Sequence, residues 1–543
     1  MSAKRCSTSP AVSLPRAHGW LALDRRAFLR QSLACVGGLA TGLPAIAAGL
    51  DRGKAVPLGV ARGIHPGRVV WAHDPEVTTW KGPDDGHWWE GNRVKLERVE
   101  AMLARAVCEL TGETTVPRAW SRLFRHLNQA RGKGDVGYRA GEQIVIKPNW
   151  VGMIFHEGNV NLDTYAFIRR QDYMNTAPQM ILALLDQLVR AGVAPRHITI
   201  CDTLACLVPD YYDRLHGDFP AVRYEDYAGK FERAKVRTST QPLYWSSRPE
   251  GKAQDYLPAS FADAEYLINF ANLKAHTGGG VTLCAKNHYG SLVRWPAQKG
   301  YYDIHPNCFS RNPRIYRPLV DLTGHSHLGG KTVLYLVDGL FSGVHPRDPV
   351  PQRMRTPPFN GQWSCSLLAS QDPLAIDSVG FDFLAAEWPD LAGKDGVDDY
   401  LHEAALAPDP PSGTFYDPNH DTPTRRLPSL GVHEHWNNPR ERKYSRNLGT
   451  GDGIELVSVK LGRPPRKIAA PRQPGASPRA RGRGESGGGN DDLPQNSLKA
   501  RAHRNSLIIK AEVTSHNHFP TTRPEKRFSP LISRHRTRVT GLQ

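Results

Sequence analysis

Short, largely apolar runs alternate along the chain with longer segments in which apolar residues recur every three or four positions. "EQIVIKPN" (142–149) and "HITICDT" (197–203) predict strands. Between them, "TAPQMILALLDQLVRAG" (176–192) spaces Leu182, Leu185 and Val189 along one helical face. Thr176 and Gln179 have the spacing of a capping box, Pro178 suits a first helical turn, and Gly192 marks the stop. Strand, helix and strand in that order form the repeating unit of a parallel sheet. "AEYLINF" (264–270) and "KTVLYLVDG" (331–339) are near-continuous apolar runs, as strands covered on both faces require. "DPLAIDSVGFDFLAAEW" (372–388) predicts a helix with Asp372 as N-cap and Pro373 at the first helical position. The expected fold class is α/β, a mainly parallel sheet with helices on both faces and long loop insertions at about 205–260 and 295–330. The tryptophan-rich segment 57–135 reads as a lid or an edge subdomain.

The two ends break this pattern. "DRRAFLR" (24–30) puts an arginine pair ahead of a glycine- and alanine-rich apolar stretch, and "AIAA" offers a cleavage site ending at Ala47. That order describes a twin-arginine secretory signal over residues 1–47. Pro44 and the neighbouring glycines speak against an uncleaved anchor, and Cys35 lies too early in the apolar run for lipid attachment. The expected location is the periplasm or cell envelope, reached through the twin-arginine export machinery, with no stable membrane span after cleavage. From 471 to 543, proline, glycine and arginine dominate, and such a composition predicts a disordered basic tail. The α/β domain is expected over 48–470.

Charge follows the same division. The chain carries 70 Lys+Arg and 53 Asp+Glu, a formal net charge of +17. Residues 1–50 and 461–543 hold all of that excess, leaving 47 of each sign in between. A balanced core gives no reason to expect nucleic-acid binding by the folded part. Six of the eight cysteines follow the cleavage site, with no C-x-x-C and no regular spacing. They read as buried apolar residues, and no iron–sulfur motif is present.

In open α/β sheets, ligands bind beyond the carboxyl ends of the strands. Lys147 and Asn149 end the first predicted strand and Asp202 the second. Lys274 and His276 follow the third, and Asp338 ends the fourth. The stretch "ANLKAHTGGGVTLCAKNHYG" (271–290) adds Gly278, Gly279 and Gly280, then Lys286, Asn287 and His288. Three glycines permit a turn whose amides form an anion nest, with a helix from about Val281 adding its positive end. Lys274 and Lys286 supply point charges beside it. An anionic small molecule, carboxylate or phosphate, is the expected partner.

"GVHEHWNN" (431–438), if extended, presents His433 and His435 on one face with Glu434 opposite. Such a pair suits a divalent metal. His276, His288 or His305, with Asp202, Asp338 or Asp372, are candidates to complete the sphere. Asp377 shares a helical face with Gly380, Phe381 and Leu384, where a carboxylate needs a partner or a role. No G-x-S-x-G, Walker or G-x-G-x-x-G motif is present to support hydrolase or nucleotide chemistry.

"IVIKPN", "LINFANLKAHTGGGVTLCAKNHYGSL", "LYLVDGL" and "SQDPLAIDSVGFDFL", in that order, resemble the family of domain of unknown function 362. "GIHPGRVVW" (63–71) and "GVHEHWN" are similar to the ends of its long exported bacterial members, so the resemblance spans roughly 60–460. It brings no established activity. Some members are joined to ferredoxin-type domains, an implication this chain does not inherit because it lacks the cysteine motif. The resemblance singles out Lys147, Asn149, Lys274, His276, Lys286, Asn287, Asp338, Asp372 and Asp377.

Two functions are expected, in order. The first is an exported enzyme holding an anionic small molecule, with a divalent metal as candidate cofactor. In it Lys147, His276, Lys286 and Asp377 are catalytic. Asn149, Lys274, Gly278, Gly279, Gly280, Asn287 and Asp338 bind the ligand, and His276, His433 and His435 bind the metal. The second is a non-catalytic periplasmic ligand-binding protein, with Trp71, Trp88 and Trp89 as a surface for a carbohydrate.

Overall fold

Residue parity along the strands divides the interior into two cores. Val70, Ala72, Ile144, Ile146, Ile268 and Phe270 pack on one side of a large sheet. Their chain neighbours Val69, Trp71, Val145, Leu267 and Ala271 pack on the other. Both faces are therefore covered, and the α/β class read from the sequence is the one observed. The computed structural model describes residues 56–461, apart from 155–157, 248–253, 277–279, 295–303, 309, 392–394 and 422–423. The twin-arginine segment, the basic tail, Gly278 and Gly279 lie outside the described residues.

Ten strands form the sheet: β1 (Arg68–His73), β2 (Ile144–Lys147), β3 (Ile198–Cys201), β4 (Arg223–Asp226), β5 (Ala234–Lys235), β6 (Tyr266–His276), β7 (Gly280–Thr282), β8 (Thr332–Gly343), β9 (Ser366–Ser370) and β10 (Glu455–Lys460). Their order is β10-β1-β9-β8-β6-β2-β3-β4-β5, with β7 paired to β6 outside that path. Only β9 and β7 run antiparallel to their neighbours. From β2 the chain proceeds outward through β3, β4 and β5, then returns to place β6 on the opposite side of β2. The strand order thus reverses between β2 and β6, and the crevice at such a reversal is where open α/β sheets bind ligands.

One face carries helices α1 (Leu96–Thr111), α2 (Val116–Ala130), α3 (Pro178–Arg190) and α4 (Pro209–Asp218). The other carries the short α5 (Cys284–Asn287), α6 (Pro373–Glu387) and α7 (Asp395–Ala405). Helix α6 is apolar nearly all round and almost wholly buried, as a central packing helix requires. Its N-cap Asp372 accepts from the amides of Leu374 and Ala375, and also from those of Arg62 and Val432.

Several expectations need correction. The segment 57–135 is no lid, because β1 pairs with both β9 and β10 inside the sheet and α1 packs over it. Trp71, Trp88 and Trp89 are 4%, 0% and 2% exposed, so they offer no stacking surface for a carbohydrate. The expected loop at 205–260 contains α4, β4, β5 and a hairpin of Thr238–Tyr244 with Gln254–Pro258. Helix α3 has no capping box. Its N-cap is Ala177, whose amide donates to Asp338 Oδ2, while Thr176 Oγ1 accepts from the Asn149 amide. The six described cysteines are free thiols, five of them buried. No helix among the described residues is long and apolar enough to cross a membrane.

Candidate functional site

Strand β2 is buried throughout and ends at Lys147, where Pro148 removes the amide that another sheet bond would need. Lys147 is 1% exposed, and its Nζ donates to Pro148 O at 2.6 Å, Asp202 Oδ2 at 3.1 Å and Asn287 Oδ1 at 3.1 Å. Three acceptors match the three N–H bonds of an ammonium group. Burial pushes Lys147 below the usual lysine range, and the Asp202 carboxylate opposes that shift. Asp202 stands directly after β3 and also accepts from the Trp150 amide.

Asn287 extends the network. Its Oδ1 accepts a second bond from Asn149 Nδ2 at 2.9 Å, and its Nδ2 donates to Lys147 O and to Asn269 Oδ1. Asn269 Nδ2 in turn meets Cys284 O and His288 Nε2. Because that nitrogen accepts, the proton of neutral His288 resides on Nδ1, on the Ser291 side. Burial, with Lys147 nearby, lowers His288 to about 3. Gly290 closes the floor: a Cβ on it would lie 2.6 Å from Asp202 Oδ1 and 2.9 Å from Lys147 Nζ.

Above this floor is a cavity of about 380 Å³ at the ends of β2, β3 and β6. Lys147, Asn149, Asp202, Asn287 and Gly290 line it, with His276, Thr282, Lys286, Tyr289, His305 and Arg347 on the walls. Lys286 Nζ lies 4.3 Å from the centre of the Tyr289 ring, a cation–π distance. Lys147, Lys286 and Arg347 against Asp202 leave the lining with a surplus of positive charge. His276 falls to about 3 through burial and then through Lys286, His345, His305 and Arg347, so its imidazole is neutral at pH 7.

The turn after β6 differs from its sequence reading. Residues 280–282 form β7, which folds back on β6 with Gly280 opposite His276 and Thr282 opposite Lys274. Gly280 has φ +104°, and a side chain there would collide with Val397 of α7. Helix α5 starts only at Cys284, and its first free amides, Cys284 and Ala285, donate to Asp377 at 2.8 and 3.0 Å. The positive end of that helix thus faces an internal carboxylate.

Asp377 is fully buried, takes a third bond from Tyr400 OH and does not line the cavity. Burial raises it to about 6. Lys274 and Asp338 also lie off the lining. Lys274 Nζ donates to Met174 O at 2.5 Å, and Asp338 accepts from the amides of Ala177 and Leu340. Burial lowers Lys274 to about 7 and raises Asp338 to about 6, each moderated by the other's charge.

His276 does not join His433 and His435. Those two sit beside Asp398, with one ligand atom from each of the three within 4.8 Å of the others. His435 lies between Asp382 and Asp398, at 2.7 and 3.1 Å. Burial disfavours its charge, but the two carboxylates prevail and raise it to about 10. Tyr289, His305, Arg347 and Gly290 are cavity residues the sequence did not single out as cavity-lining. A pattern of polar residues just after each strand pointed to Asp202, and nothing comparable marks the other four.

No curated protein and no solved structure matches the chain. Residues 144–382 match the family model described as Domain of unknown function (DUF362). They run from the start of β2 to Asp382 of α6 and supply every described residue that lines the cavity. Over the segment that builds this site, the chain is a member of the DUF362 family.

Proposed function

We propose that this chain is an exported enzyme that binds a small anionic molecule, bearing a carboxylate or phosphate, in the cavity between the ends of β2 and β6. The supporting observation is convergence: Lys147, Lys286 and Arg347 share one cavity with the imidazoles of His276 and His305, where the strand order reverses. In this reading Lys147 is a fixed cation and no nucleophile, because all three of its N–H bonds are engaged. Its charge stabilises negative charge on the ligand. His276 is the proton acceptor. Cations that depress it in the free chain are offset when an anion arrives, so binding raises its affinity for a proton. Asp377 holds the turn that carries Lys286 and Asn287, a positioning role. Export rests on the arginine pair and cleavage pattern of residues 24–48.

Calorimetric titration with orthophosphate and with a small hydroxy-dicarboxylate, in two buffers of different ionisation heat, tests this. Wild type should bind at least one of them with net proton uptake, and Lys286→Ala should weaken that binding by roughly tenfold or more, as loss of a charge-assisted contact implies. Equal affinities in the two proteins would overturn the assignment.

A non-catalytic binding protein is the second reading. The saturated hydrogen bonding of Lys147 and Asn287 favours it, since side chains held so rigidly suit recognition as well as reaction. Whether a bound ligand is consumed separates the two.

A further inference from the structure

Helix α6 organises a second cluster that lines no part of the cavity. Ser378 Oγ donates to Leu374 O at 2.6 Å, so the 2.8 Å contact with His433 Nδ1 is one in which the imidazole donates. Neutral His433 therefore carries its lone pair on Nε2. Asp382, one turn further along, receives His435 Nδ1 on one oxygen and is fixed through the other by the Trp436 amide and Tyr444 OH. A carboxylate on one imidazole nitrogen, leaving the other to a metal, is the usual outer support of a ligating histidine.

The third member comes from α7. Asp398 Oδ1 lies 3.1 Å from His435 Nε2, yet the contact lacks hydrogen-bond alignment and that buried oxygen has no hydrogen-bond partner. The separation is close to the roughly 3.4 Å edge of a tetrahedron built with bonds of about 2.1 Å. His433 and His435 have ring centres 5.0 Å apart, and the His402 ring stands 5.0 Å from that of His433. Two imidazoles and a carboxylate, each of the imidazoles held from behind, make a donor set for zinc, iron or a similar ion.

We infer that Asp398, His433 and His435 bind one divalent transition-metal ion, with Ser378 and Asp382 holding the imidazoles in the ligating orientation. On binding, the ion takes the place between His435 Nε2 and Asp398, and the proton on that nitrogen leaves to solvent. The ion would pin α7 and the segment around His433 to α6, whose Asp377 supports the cavity wall from the same helix. This site stands independently of the anion cavity, because the two share no side chain.

Cobalt(II) is the probe, added to the full chain after removal of metals with a chelator. Wild type should develop the ligand-field absorption of a four- or five-coordinate ion, saturating at one equivalent and bleached by zinc(II). Asp398→Asn and His433→Gln should abolish it, with the far-ultraviolet dichroism of Asp398→Asn unchanged. Asp382→Asn, which keeps all three ligands, should weaken binding by roughly 10- to 100-fold. Cobalt should also raise the melting temperature of wild type and leave that of Asp398→Asn unmoved. A wild-type chain that takes up no cobalt would overturn the site, leaving a structural ion-pair clamp only. Variants that bind as wild type would overturn it equally.

Discussion

Lys147 and His435 are both cations held among carboxyl and carbonyl oxygens, and their surroundings differ in one respect. Lys147 has an aligned acceptor for each of its three N–H bonds and sits within the family-matched segment. His435 has one aligned carboxylate and one at 3.1 Å that is out of line, and it lies beyond that segment with Asp398 and His433. A fully paired buried charge is a fixed element whose removal strands its partners. An incompletely paired one has capacity left for a ligand. By that contrast, the cavity floor is scaffold, the cavity wall carries exchangeable chemistry, and the His435 cluster awaits a second partner.

The largest expected effect falls on the floor. Lys147→Met leaves Asp202 buried without its counter-ion and should cost about 3–5 kcal/mol by chemical denaturation. The double variant Lys147→Met/Asp202→Leu should regain part of that stability but none of the anion binding. If Lys147→Met alone is neutral, the floor is not the scaffold described. Next comes Gly290→Ala, whose methyl would press on both members of the pair; about 1–3 kcal/mol is expected from overpacking.

Acid sensitivity sharpens the contrast further. His288 is lowered from 6.5 to about 3 in the folded chain, so as the pH falls the unfolded chain takes up its proton first. The stability this group contributes is complete above pH 6.5 and is lost progressively as the pH drops towards 3. His288→Asn should flatten the stability profile over that window by about 1.4 kcal/mol per pH unit relative to wild type. Parallel profiles would show that His288 is not held neutral by its network. The smallest effect on stability belongs to the wall: Lys286→Ala should change it by less than about 1 kcal/mol, while its effect on anion affinity is the larger one already given.

The sheet was legible because short apolar runs such as "IVIK" and "ITIC" suit strands covered on both faces, and Asp372 was legible because capping is local. Lys274 lies off the cavity lining for a reason the sequence contains. Counting along β6, it shares parity with Phe270 and Ile268, on the α3 side, whereas Lys147 shares parity with Val145 on the other. Two lysines at neighbouring strand ends therefore leave the sheet in opposite directions. Asp377, the β7 return and the Asp382–His435–Asp398 arrangement depend on packing between distant segments, and single-chain periodicity carries no record of such partners.

The decisive measurement is a crossed titration of two variants, Lys286→Ala and Asp398→Asn, each with cobalt(II) and with the anion that wild type binds. Two separate sites require that Lys286→Ala lose affinity for the anion and keep cobalt, and that Asp398→Asn do the reverse. A variant that loses both ligands, or variants that lose neither, would contradict the division between a saturated scaffold with its anion cavity and an independent metal cluster.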